Sequence, residues 1–535
     1  MDQNIKTSLD DEGVLLACID MPGRSMNVFS LAMMDSLERL VMSVETDARV
    51  RAVVLTSGKP AFVAGADLAM ISNVFDKRAR TDSHAQLVEL CGRLGRIFRR
   101  LEKSPKPYVA ALNGLALGGG LEVSLACHAR VVADGPAVLL GLPEIKLGLL
   151  PGAGGTQRLP RLVGAPLGLR MLLEGNPLAP AEALACRLVD EVVAPDALLA
   201  AARRKALSIG RTEPPWDREE ARFDSGELAL EQPGAARRIA AALGLSDAVI
   251  AKYPAYEAIM KCVIEGWNRP MDEALAHEMD LFVELIRNPV AGNMVRALFL
   301  NRQRSLKAAP TALDPRNARV AVIGEGGDTV AQALASGRAH VVAADALAAW
   351  DVAVCVGDAR APLRTAVRWL ADAVDTLAGA QVGVWRSAKT EHGRAVEVVC
   401  AGDDMAARDA GLAVAKWLRA EAVLETRGDA AFLQQLSRCL AAAREASCTE
   451  DEQLLAMSLF AIQRWLAGAI DDLELADSAA VVAGLAPAYS GGPFAYAAQQ
   501  GLDVLRLRAA QARPRDAAMF AWPAGAESLF DAVAA

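Results

Sequence analysis

One stretch constrains this chain more than any other: residues 107–158, PYVAALNGLALGGGLEVSLACHARVVADGPAVLLGLPEIKLGLLPGAGGTQR. Its start, Pro107 to Leu112, is apolar and predicts a buried strand. A glycine triplet follows, Gly118-Gly119-Gly120, and the pattern turns helical from Leu121 to about Cys127. Ala129–Ala133 reads as a second strand. A loop then presents Glu144 in Gly-Leu-Pro-Glu, and a Pro-Gly-Ala-Gly-Gly turn starts another helix at about Thr156. Glu122 falls in the first turn of the helix after the triplet. A strand, a glycine-cushioned helix start and two carboxylates are thus set close together.

Glycine permits close backbone approach and unusual dihedrals. A helix N-terminus leaves N–H groups unpaired and carries partial positive charge. An N–H there can hold the negative oxygen that develops on an acyl carbonyl. A second donor is needed, and residues 62–68, FVAGADL, follow a predicted strand from Ala52 to Thr56. The Ala66 N–H is the candidate. Taken singly, each feature has an ordinary reading. Glycine triplets mark tight turns, Glu122 suits a helix dipole, and Glu144 could cap or pair. Two donors and two acids together point to acid–base chemistry on an acyl group.

The segments AGAD, NGLALGGGLE and LPEIKLGLLPGAGGTQRLPR resemble the enoyl-CoA hydratase/isomerase (crotonase) superfamily. Closest is the hydratase module of the bacterial multifunctional fatty-acid oxidation proteins, over roughly residues 10–195. The resemblance implies that Ala66 and Gly119 form the oxyanion hole and that Glu122 and Glu144 are the catalytic pair. It also implies that the loop Ala64-Gly65-Ala66 lies against the adenine end of CoA. Some members keep one acid; retention of both favours hydration of trans-2-enoyl-CoA to 3-hydroxyacyl-CoA, which needs no cofactor. The alternatives are a Δ3,Δ2-enoyl-CoA isomerase on the same site, a hydratase/dehydrogenase, and a non-catalytic acyl-CoA-binding scaffold.

At 535 residues the chain is too long for one ordinary core and suggests two to four units. Its net charge of −8, its 5% aromatic content and the lack of a basic block give no sign of nucleic-acid binding. The nine cysteines are scattered with no CxxC pair, so neither a metal site nor a disulfide framework is indicated. The opening MDQNIKTSLDDEG is polar and acidic, unlike a signal peptide, and no stretch of about 18 apolar residues predicts a membrane span. A cytoplasmic protein with reduced thiols is expected. Acyl-CoA is the expected small-molecule partner, a thiolase or other β-oxidation enzyme a candidate protein partner, and the state a monomer or small oligomer.

The expected fold class is α/β, in four parts. Residues 1–195 form a crotonase ββα spiral. Within it, 13–20 reads as a strand and Ser30 as the N-cap of a helix with Leu31, Met34, Leu37, Val41 and Val44 on one face. Residues 84–102 read as an amphipathic helix with Arg93, Arg96, Arg99 and Arg100 on a solvated face. Residues 196–314 form a helical linker, helical over 255–288 and 291–306, which in the related proteins folds back on the hydratase module.

Residues 315–425 form a degenerate NAD-binding Rossmann-like domain. ARVAVIG (318–324) followed by Gly324 and Gly326 nearly matches G-x-G-x-x-G, but Thr329 holds the third position. Asp345 falls where a ribose-binding acid would. The order resembles the 3-hydroxyacyl-CoA dehydrogenase domain of the multifunctional proteins, yet Trp385 occupies the catalytic histidine position. Its partner carboxylate survives as Glu397, and His392 lies off register. Without an imidazole nothing takes the hydroxyl proton. Dehydrogenase activity is expected to be lost and NAD binding is doubtful. Residues 426–535 form an all-α domain, and SGGPFAYAAQQG (490–501) resembles the dehydrogenase's C-terminal motif.

Overall fold

Apolar runs in the first 200 residues become the parallel strands of two sheets in a computed structural model of the chain. It describes residues 4–534 apart from 220, 222, 224, 309–312, 315, 344–350, 362–364, 371–375 and 378. Two units are distinguished, Met1–Gly292 and Asn293–Ala535. The division falls inside the stretch expected to be one linker, so 196–292 belongs with the first unit.

The first unit repeats one step: a strand in a large sheet, a short strand in a small sheet, then a helix. In the large sheet, β1 (Ile5–Leu9) pairs antiparallel with β2 (Val14–Ile19). Then β3 (Ala52–Ser57), β5 (Tyr108–Leu112), β7 (Ala129–Ala133) and β9 (Glu191–Val193) add in parallel, giving the order β1-β2-β3-β5-β7-β9. Both β3 and β5 are buried at every residue, as expected of a parallel strand covered on both faces. The small sheet holds β4 (Val63–Ala64), β6 (Ala116–Leu117) and β8 (Leu140–Gly141), all parallel, with β6 central.

Helices follow from caps and stripes. Ser30 accepts the Met33 amide and starts Leu31–Thr46, and Ser83 forms a capping box with Gln86 at the start of His84–Glu102. The helix after the triplet begins earlier than its apolar pattern: it runs Gly119–Ala126 and contains two of the three glycines. Residues 255–288 are two helices, Pro254–Gly266 and Met271–Arg287, because Pro270 cannot continue the first. The second packs against His84–Glu102 and against Gly155–Val163.

The arginine run departs from expectation at Arg99. Arg93 and Arg100 reach carboxylates of the neighbouring helix, but Arg99 is buried. Met271–Arg287 and the turn Pro215–Asp217 cover it, and it bonds Glu102, Asp217 and Asp272 at 2.6–2.8 Å. Glu102 in turn takes Arg158, whose side chain is 0% exposed, at 2.7 Å. These ions hold one another in the interior, so Arg99 is structural, while Arg93, Arg96 and Arg100 keep the solvated face expected of the run.

The second unit has a seven-stranded sheet, in the order His340–Val342, Arg319–Ile323, Val352–Cys355, Ala366–Trp369, Val382–Arg386, Ala395–Cys400, Ala422–Arg427. All pairs are parallel except Val382–Arg386 with Ala395–Cys400. Helices follow from Phe432 onward. Among the described residues, no helix is long and apolar enough to cross a membrane.

Candidate active site

The small sheet delivers the candidate residues side by side. Its register pairs Ala64 with Leu117 and Leu117 with Gly141. Just past these pairs lie Gly65 and Gly118; Ala66 bridges to Phe29, whose ring also meets Gly119, and Glu144 lies three residues past the end of β8. The close approach is direct: a Cβ built on Gly118 would lie 3.8 Å from Gly65 Cα. Three short parallel strands therefore release two backbone amides and one acid at the same edge.

Peptide geometry orients both amides. The Gly65 carbonyl accepts from Phe29 N at 2.9 Å. A trans peptide points its C=O and N–H in opposite directions, so the Ala66 N–H points away from Phe29. The Gly118 carbonyl accepts from Leu121 and Glu122 at 2.9 and 3.0 Å, so the Gly119 N–H points back out of the helix start. Among the described residues, neither amide has an acceptor.

The triplet is demanded by its surroundings. Gly118 sits at φ 54, ψ −126, a conformation that side chains resist, and a Cβ there would lie 2.7 Å from Glu144 Oε1. At Gly120 a Cβ would lie 2.2 Å from the Val63 carbonyl oxygen, so the helix can rest on β4 only without a side chain.

Both predicted acids are here and differ in their support. Glu122 is 3% exposed, and its Oε1 accepts the Ala153 and Gly155 amides at 2.8 and 2.9 Å. Burial raises its pKa, while those amides and Arg158 pull it back. Glu144 opens a 3-10 turn, Glu144–Leu147, rather than lying in an open loop. Its Oε2 is sealed from water and has no partner among the described residues. Burial raises the Glu144 pKa well above the usual range, and the charges of Glu122 and Glu278 raise it further. Glu122 is thus the acid better able to ionise, and Glu144 the one that keeps its proton.

A third carboxylate was missed by the sequence reading. Glu278, from Met271–Arg287, accepts the Gly154 amide at 2.7 Å, the Thr156 amide at 3.1 Å and the Thr156 hydroxyl. Burial first, and then the Glu122 charge, push its pKa up to about 8. Its only signal was a glutamate on a helix face otherwise made of Ala274, Leu275, Met279 and Phe282.

Residues 11–214 match the family model described as enoyl-CoA hydratase/isomerase. The N-terminal domain belongs to the enoyl-CoA hydratase/isomerase family. The fatty acid oxidation complex subunit alpha of Shewanella halifaxensis is 34% identical to this chain over 331 residues, covering 61% of this chain and 45% of that protein. The subunit of the same name from Idiomarina loihiensis is 36% identical over 355 residues, covering 64% and 47%. The chain spans about half the length of the curated relatives it matches. A solved enoyl-CoA hydratase from Bacillus anthracis is 26% identical, covering 53% of this chain and 91% of that one, with a TM-score of 0.34.

Outside the hydratase/isomerase domain, the candidate dinucleotide turn keeps its backbone. Gly324 has φ 115 and would place a Cβ 2.2 Å from the Val356 carbonyl oxygen. Gly326, in the left-handed region, begins the helix Gly327–Ser336, and Thr329 lies exposed on it. Asp345 lies outside the described residues. Trp385 stands directly opposite Glu397 on the antiparallel neighbour. Glu397 is fully buried and accepts the Thr426 hydroxyl and the Phe432 and Leu433 amides at 2.5–2.7 Å. That carboxylate is a cap for the helix Phe432–Glu445. The SGGPF turn is likewise capped by the buried Asp477, which accepts the Phe494 and Ala495 amides at 2.8 Å.

Proposed function

We propose that the hydratase/isomerase domain adds water to trans-2-enoyl-CoA to give 3-hydroxyacyl-CoA. The Ala66 and Gly119 amides hold the thioester oxygen and draw electrons from the conjugated double bond. Glu122, ionised, takes a proton from water as its oxygen bonds to the β-carbon. The electron pair of the double bond moves onto the thioester oxygen. Glu144 then gives its proton to the α-carbon as the enolate collapses. At the end Glu122 carries a proton and Glu144 a charge, and solvent exchange resets the pair. No metal or dinucleotide enters these steps.

The observation that carries this reading is the difference between the two acids: Glu122 has one oxygen held by two backbone amides, whereas Glu144 has an oxygen sealed from water with no partner among the described residues. Two carboxylates whose surroundings push their proton affinities apart are the recognised arrangement for base and acid roles. The loop Ala64-Gly65-Ala66 is assigned to the adenine end of CoA on the family resemblance. The domain pattern of 1–195 as core, 315–425 as degenerate Rossmann domain and 426–535 as helical domain is part of the same reading. So are a cytoplasmic setting and a β-oxidation partner, since the relatives are named subunits of a fatty acid oxidation complex.

The test is loss of enoyl absorbance with acyl-CoAs of graded length, with and without NAD. Hydration unaffected by NAD, with no NADH formed, is expected. No absorbance loss with any chain length refutes the reading.

A further inference from the structure

Four successive amides at the start of the helix Gly155–Val163 are divided between two carboxylates. Ala153 and Gly155 donate to Glu122; Gly154 and Thr156 donate to Glu278. The two acids come from elements about 150 residues apart in sequence and grip the same turn from different sides. Leu275 and Phe282, one turn to either side of Glu278, close over the turn: Cβ atoms on Gly154 and Gly152 would lie 2.9 and 3.0 Å from them. The turn is therefore fixed between Glu122 and the helix Met271–Arg287.

Resting on the hydratase reading, we propose that Glu278 is a positioning residue of the acid pair: it fixes the turn that supplies both donors to Glu122, and its negative charge helps keep the proton on Glu144. Glu278 touches no substrate atom in this scheme. It acts through the turn and through the field.

The charged and titratable groups around it are few. Glu122 faces it from Gly119–Ala126, and Glu144 from its 3-10 turn. Arg158 and Arg161 face it from Gly155–Val163, and Cys262 from Pro254–Gly266. Arg158 is already held by Glu102, which leaves the three glutamates to share the remaining field. Two amide donors and nearby Arg158 favour the ionised form of Glu122. Burial first, and then the Glu122 charge, raise Glu278 to about 8. Beyond burial, the charges of Glu122 and Glu278 both bear on Glu144 and favour its protonated form. Around and above pH 8, ionised Glu278 thus defends the protonated form of the acid that must deliver a proton.

The test is Glu278→Gln in the full chain, with the pH profile of crotonoyl-CoA hydration as the readout. Glutamine keeps the shape and one acceptor but carries no charge. The alkaline limb of kcat/KM is expected to move about one pH unit lower, with the acid limb nearly fixed. The neutral-pH kcat is expected to fall about tenfold with KM little changed, because the turn beneath Glu122 loses a support. A residue with only a structural role would alter melting and leave the profile in place. Wild-type limbs and kcat in a folded Glu278→Gln would overturn the proposal.

A second measurement needs no turnover: carbon-13 NMR titration of the wild-type chain labelled at glutamate carboxyls. The Glu144 resonance should show a second inflection at the pH where Glu278 itself titrates. Independent, single-step curves for the two would overturn the proposal. Absence of hydration by the wild type would refute the hydratase reading alone, and the NMR result would still decide the coupling.

Discussion

Glu144→Gln separates catalysis from folding in one substitution. In the folded chain, burial and then the charge of Glu122 hold Glu144 neutral at neutral pH. Glutamine matches the neutral acid in size and charge, so the site should keep its shape. The oxyanion donors belong to the backbone at Ala66 and Gly119 and are untouched, so KM for crotonoyl-CoA should stay within about threefold, as expected when only a transition-state interaction is removed. What is lost is the proton for the α-carbon. Removing one acid–base group lowers rates by about 10²–10⁴-fold, equivalent to about 3–5 kcal/mol of barrier. The assay is the loss of enoyl absorbance, with kcat and KM separated. The melting temperature should be unchanged or higher, since the wild type must protonate this group to fold at neutral pH and the variant need not. A kcat within a few-fold of wild type would refute the role of Glu144, and a collapsed melting temperature would refute its neutral state.

Other perturbations read different parts of the structure. Gly118→Ala forces a Cβ to 2.7 Å from Glu144 Oε1 at a positive φ, and kcat should fall by about 10²-fold through misplacement of the acid and the Gly119 amide; activity near wild type would contradict the placement. Glu102→Gln leaves Arg158, 0% exposed, without its ion partner, and should destabilise the first unit by about 3–5 kcal/mol in urea unfolding; a loss under about 1 kcal/mol would show the network to be dispensable. Glu397 has a folded pKa of about 7 against an ordinary 4.5, so its contribution to stability is complete below pH 4.5 and declines as pH rises to 7. The stability advantage of wild type over Glu397→Gln should therefore shrink by about 3 kcal/mol across that window, and a constant difference would contradict it.

Much of the site was legible because its chemistry is local in sequence. The triplet, Glu122 and Glu144 lie within 27 positions, and each glycine answers a specific contact with Glu144, Phe29 or Val63. Ala66 was legible as a candidate second donor because a strand precedes it. Glu278 was not, since its partners are backbone amides some 120 residues away, and backbone amides leave no trace in side-chain pattern. Arg99 was misread for a related reason: helical periodicity places it off the apolar stripe, but a second helix and a loop cover that face with acids. In the second half, Glu397 looked like a surviving catalytic partner. Its three donors show that the same position has an architectural use, which is sufficient to retain a carboxylate beside Trp385.

The most direct measurement is hydration of crotonoyl-CoA by the full chain in deuterated water, with the product's isotopes located by mass spectrometry and NMR. Water addition by the Glu122–Glu144 pair should give 3-hydroxybutyryl-CoA carrying one deuterium at the α-carbon and none at the γ-carbon. Deuterium at the γ-carbon without a hydroxylated product would assign the pocket to isomerisation, and no product at all would contradict the acid pair as a catalytic site.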